Sequence, residues 1–87
     1  MVRLFKRERG EIVTAILEGA LGGAKKTHIM HRANLNHRMV DKYIQMLLDA
    51  GFIVKCNDPD RGVLYKTTEK GREFLRLGRQ FYERLKL

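Results

Sequence analysis

Proline, cysteine and tryptophan are nearly missing from this chain: one Pro, one Cys and no Trp among 87 residues. The lone Cys56 excludes an internal disulfide framework and points to an intracellular, reducing compartment. With Pro59 as the only proline and no Ser/Gly/Pro-rich stretch, nothing marks a linker, so residues 1–87 are expected to form one domain. No apolar run approaches the roughly 20 residues that cross a bilayer. The start, Met1-Val2-Arg3-Leu4-Phe5-Lys6-Arg7, is basic but lacks the apolar stretch of a secretory signal. No membrane partner is therefore expected, and the cytoplasm is the expected location. Acid is scarce as well. Ten Asp plus Glu face eighteen Lys plus Arg, a net charge of +8, and that excess calls for an anionic partner, nucleic acid before an acidic membrane surface.

Catalytic sets are absent too. No Ser/His/Asp or Cys/His pairing has a sensible scaffold and no carboxylate pair is set in a pocket, so an enzyme is not expected. His28 and His31 are three apart on one helix, a spacing two metal ligands can use, but structural zinc sites gather four ligands with Cys pairs. Phosphate-facing or solvated histidines are the reading, with no metal, cofactor or small-molecule ligand. Gly19 to Thr27 hints at a phosphate-binding loop. It fails because Lys25 stands where the second Gly is required and a helix precedes it, so nucleotide binding is excluded.

What the chain does contain is a change of period. From Glu8 to Ala20, apolar residues recur at helical spacing (Ile12, Val13, Ile16, Leu17, Ala20) until Gly22-Gly23 stops them. Thr27 suits the N-cap of a short second helix, with Ile29, Met30 and Ala33 inward and His28, His31 and Arg32 outward. Asn36 offers the N-cap of a third helix, His37 to Ala50, that buries Val40, Tyr43, Ile44, Leu47 and Leu48 and ends at Gly51. Strand formers then occupy 52–56 and 63–67 around the turn residues 57–62, which predicts a β-hairpin with a protruding tip. Thr67-Thr68 caps a last helix, with Glu69 at its positive end. Helix, short helix, tight turn, helix, hairpin, helix is the order of a winged helix-turn-helix, a mainly helical α+β fold with a two-stranded wing.

Four segments carry a more specific likeness: Gly23-Ala24-Lys25-Lys26-Thr27-His28-Ile29-Met30, Ala33-Asn34-Leu35, Tyr43 to Ile53, and Tyr65-Lys66-Thr67-Thr68-Glu69-Lys70-Gly71-Arg72-Glu73-Phe74-Leu75. Together they resemble archaeal winged-helix DNA-binding proteins, a group of small basic chromatin-associated proteins and predicted transcriptional regulators. The resemblance implies a homodimer joined through the last helix (68–87), with double-stranded DNA met by the third helix and the wing, and a nucleoid-associated location. With the sequence ending at Leu87, a compact helix-to-helix contact is expected rather than an extended coiled coil.

Helical spacing turns Asn36, His37, Arg38, Asp41, Lys42 and Gln45 outward on the recognition helix 36–50, which is expected in the major groove. Arg38 can donate a bidentate pair to guanine, and Gln45 or Asn36 can pair with adenine. Asp41 either accepts from cytosine or holds Arg38 or Lys42. Lys25, Lys26, Thr27 and His28 are expected on phosphates. Arg61, at the tip of the 57–62 wing, is expected on the adjacent backbone or in the minor groove; the alternative is a mere structural turn. Arg3, Lys6, Arg7 and Arg9 form a phosphate-binding arm or a solubilising tail. On the last helix Leu77, Gly78, Phe81, Tyr82 and Leu85 are the dimerisation residues, because a domain this small covers only the first half of that helix, around Phe74 and Leu75. The alternative there is a helix face folded back on its own domain. A sequence-specific homodimeric transcription regulator is the expected function. A low-specificity chromatin-packaging protein and a protein-docking winged helix are its rivals.

Overall fold

The structure, a computed structural model, describes the backbone of residues 2–85 and the side chains of 9–81, 83 and 84. Four helices and one hairpin follow each other: α1 (Val2–Gly19), α2 (Lys26–Arg32), α3 (His37–Ala50), β1 (Ile53–Asp58), β2 (Gly62–Thr67) and α4 (Glu69–Leu85). The fold is the winged helix expected. The first helix begins well before Glu8, so the backbone of the basic segment around Arg3, Lys6 and Arg7 is helical. The side chains of those three residues lie outside the described set, as do those of Tyr82 and Leu85.

The core is where the periodic residues meet. Ile16 and Leu17 of α1, Ile29 of α2, Val40, Tyr43, Ile44 and Leu47 of α3, Ile53 of β1 and Tyr65 of β2 form one buried cluster. Ile12, Val13, Met30, Ala33 and Leu48, expected inside, pack on its edge half-buried. Each fully buried Ile or Leu contributes about 1.5–3 kcal/mol through the water it leaves. The wing is fastened to this core by backbone. Ala24, just before α2, exchanges hydrogen bonds of 2.9 and 2.8 Å with Tyr65 of β2, a third, one-residue strand contact.

Helix boundaries follow from identifiable caps, with one correction. Thr27 does not cap α2: the N-cap is Lys25, without a side-chain cap bond, and Thr27 lies inside the first turn. The turn between α2 and α3 closes instead on Asn34, a left-handed residue (φ 57°). Asn34 N–H donates to His31 O (3.1 Å) and Leu35 N–H to Met30 O (2.9 Å), the paired bonds of a Schellman motif. Asn36 then opens α3 by accepting from Met39 N–H at 2.8 Å, worth about 1 kcal/mol.

The wing is also tighter than its turn residues suggest. Asp58 pairs with Gly62 in the antiparallel ladder, which leaves only 59–61 as the loop. The Asp58 carboxylate accepts from Asp60 N–H (2.8 Å) and Arg61 N–H (2.9 Å). Those two amides hold the acid below the ordinary Asp value of 3.8. A depressed folded value means the stability these bonds contribute is fully present above the ordinary Asp value and is lost as pH falls below it through the depressed folded value.

At the other end of the hairpin the two threonines divide their work. Thr67 is buried and its hydroxyl donates to Leu17 O at 2.7 Å, satisfying a carbonyl of the last turn of α1. Thr68 alone caps α4, accepting from Gly71 N–H (3.1 Å) while donating to Gly51 O (2.7 Å). Gly71 is buried where α4 crosses the strand start, and a Cβ there would run into Phe52 O and meet Thr67 Cγ2 at 2.6 Å. Gly71→Ala should therefore destabilise the fold by about 1–3 kcal/mol, as overpacking does, despite the helix propensity it gains. Urea denaturation measures this; a stability equal to or above that of the parent chain would contradict the close approach.

Candidate nucleic-acid interface

The apolar stripe of α3 faces the core, and the same spacing sends Asn36, His37, Arg38, Asp41, Lys42 and Gln45 to solvent, where all six are exposed. Arg38, His37 and Lys42 make no hydrogen bond or ion pair among the described residues. Both acids of this helix are engaged. Asp41 takes the ammonium of Lys26 at 2.7 Å and Asp49 takes the amide of Gln45 at 3.0 Å. Asp41 thus holds Lys26 of α2, rather than Arg38 or Lys42. That contact raises the Lys26 pKa above its usual 10.5, through the hydrogen bond first and the charge second. Among the described residues, the N-terminal half of α3 is left with unpaired cations and no free carboxylate.

Two expected readers are partly occupied. Asn36 uses its side-chain oxygen in the cap, which leaves its NH2 group. Gln45 has one N–H committed to Asp49. Met39 and Met46, passed over in the sequence, sit on the same helix at 36 % and 46 % exposure. With Arg9, Lys42 and Tyr43 they line a shallow depression of about 300 Å³. Two outward methionines seven residues apart were the available signal for it.

The remaining expected residues gather elsewhere. Lys25, Thr27 and His28 come together with His31 and with Arg61 of the wing around a second depression of about 490 Å³. Lys26 is the exception, turned toward α3. His31, read from the sequence as phosphate-facing or solvated, is the residue that joins them. Cys56 is a free, half-buried thiol. Among the described residues no group of three or more His, Cys, Asp or Glu could hold a metal ion, and no helix is long and apolar enough to cross a membrane.

A different surface lies on the far side of α1. Leu75 packs against the core and Phe74 stacks on Phe52 with ring centroids 5.1 Å apart. Beyond them α4 leaves the body of the protein: Phe74, Leu77 and Phe81 are 40 %, 53 % and 64 % exposed. They occur at i, i+3 and i+7, one helix face. An open groove of about 580 Å³ runs between that face and Gly10, Thr14 and Ala15 of α1. A Cβ on Gly78, which lines it, would touch nothing within 4 Å among the described residues, so no close approach there explains that glycine.

Comparison with known proteins agrees with this architecture. A family described as winged helix-turn-helix matches residues 6–86. An uncharacterized protein of Methanocaldococcus jannaschii is 36% identical over 72 residues, covering 82% of this chain and 69% of that one. Among solved structures, the DNA-binding protein Sso10a-2 of Sulfolobus solfataricus superposes with a TM-score of 0.64 at 25% identity, over 84% of this chain and 83% of its own. A MarR protein from Peptoclostridium difficile superposes with a TM-score of 0.67, also at 25% identity, over 84% of this chain and 48% of its own.

Proposed function

Since the chain belongs to the winged helix-turn-helix family, we propose that it binds double-stranded DNA as a homodimeric transcription regulator, with α3 in the major groove. One observation carries the reading: the outward half of α3 is cationic, solvent-exposed and cleared of competing carboxylates. Arg38 reads guanine, and Lys42 and Lys26 meet flanking phosphates. The amide NH2 of Asn36 donates to a base acceptor or phosphate. The wing follows the adjacent backbone.

The second copy joins through α4. Phe74, Leu77 and Phe81 form an exposed apolar face along one side of α4, of the kind that commonly marks a protein–protein contact, and Gly78 lets a second helix come close. A two-fold pair of α3 helices then enters successive major grooves about 34 Å apart. If such a dimer neutralises about eight phosphates, log K falls against log salt with a slope near −7. Anisotropy titration of a labelled duplex over a salt series tests this, and a flat or absent response contradicts it. Asp41→Asn removes a negative charge and frees Lys26, so it should tighten binding about two- to fivefold at low salt and by little at high salt. Weaker binding of that variant would contradict the arrangement.

Low-specificity coating of DNA is the second reading. It is favoured by the internal engagement of Asn36 and Gln45, two of the three expected base readers. Footprints at discrete sites support the regulator, and uniform protection supports the coat.

A further inference from the structure

Resting on the DNA-binding reading, we infer that Lys25, His28, His31 and Arg61 form a proton-dependent seat for one backbone phosphate, so that DNA binding takes up protons. The groups come from three places in the fold: the loop before α2, the exposed face of α2, and the wing tip. Lys26, the neighbour of Lys25, is tied to α3 through Asp41, and Arg61 belongs to the wing. The seat therefore lies between the two parts of the surface proposed to touch the duplex, where a phosphate bridging major-groove and wing contacts would fall.

Its chemistry is one-sided. Lys25 and Arg61 are the fixed charges, Thr27 adds a hydroxyl, and no carboxylate lines the depression. Of the acids near it in sequence, Glu18, next to the lining residue Gly19, faces Arg32 at 3.8 Å, and Asp58 accepts the wing-loop amides; Asp60, beside Arg61, is exposed on the wing loop and is not part of the lining. A phosphate seated between Lys25 and Arg61 would place its negative charge beside His28 and His31 and favour their protonated forms. An ordinary histidine titrates near pH 6.5. A phosphate raises that value in the complex, so binding strengthens as pH falls through this range and the gain is lost above the bound-state value.

Duplex affinity measured at constant ionic strength should rise about tenfold for each histidine engaged, between about pH 8 and about pH 5.5. The double variant His28→Gln/His31→Gln should lose that rise, keeping only what His37, the third histidine of the chain, contributes. The double variant His28→Lys/His31→Lys should bind tightly at pH 8 and lack the rise, an outcome that a purely structural role for these exposed side chains does not produce. A pH response identical in parent and Gln variant would overturn the inference while leaving DNA binding intact. No duplex binding at any pH would overturn the reading beneath it. Imidazole NMR signals of His28 and His31 should move with duplex. Movement with inorganic phosphate alone, and none with duplex, would contradict the assignment to the DNA backbone.

Discussion

Phe81→Glu should turn the proposed α4-paired dimer, a particle of about 20 kDa at twice the chain mass of 10.2 kDa, into a monomer by sedimentation. Phe81 is 64 % exposed within its own chain, so the substitution leaves the fold undisturbed and acts only on whatever covers that ring. An ionised carboxylate forced into an apolar contact with a second copy of Phe74 and Leu77 costs several kcal/mol even after relaxation. That corresponds to at least a hundredfold weaker association. DNA binding should fall with it, because two half-sites linked in one particle bind about 10²–10⁴-fold more tightly than one alone. Far-UV dichroism should be unchanged. An unaltered mass for the variant would contradict the α4 interface. A halved mass with undiminished DNA affinity would show that pairing through α4 is not what the duplex requires.

Arg38→Ala carries the second large effect. A guanidinium donating two bonds to one guanine discriminates by about 1–3 kcal/mol, roughly five- to 150-fold, so the variant should lose that factor on its preferred site and much less on random duplex. Lys26→Ala should behave differently. It removes a phosphate contact and leaves Asp41 without its partner, so every sequence should weaken alike and the salt slope should shrink by about one per protomer. Titration of both variants against a selected site and a scrambled one separates the two roles. Equal losses on both duplexes for both variants would contradict this division and favour the coating reading.

Much of the architecture was legible because its signals are local. The α3 stripe, the Asn36 cap, the Gly51 stop and the strand pair each depend on residues close in sequence. What escaped depends on partners far along the chain. Thr67 looks like a helix cap next to Thr68, but its hydroxyl is claimed by Leu17, 50 residues away. Gly71 reads as a poor helix residue until the carbonyl of Phe52 is brought beside it. Thr27 has the chemistry of an N-cap, yet α2, following the Ala24–Tyr65 bridge, starts two residues earlier.

The candidate site divides along the same line. Exposure of the α3 polar face follows from its period alone. Which side chains on it are free does not, because the Lys26–Asp41 pair crosses between helices, and no spacing rule relates residues 26 and 41. The convergence of Arg61 with His28 and His31 likewise required the wing to be built.

Chemical-shift mapping of the labelled protein during titration with duplex DNA tests the central claim most directly. Amides from Asn36 to Gln45 should shift most, with those of Lys25 to His31 and the wing loop moving alongside them, while Leu77 to Phe81 stay still. Shifts concentrated on α4, with α3 undisturbed at saturating duplex, would contradict a recognition role for α3.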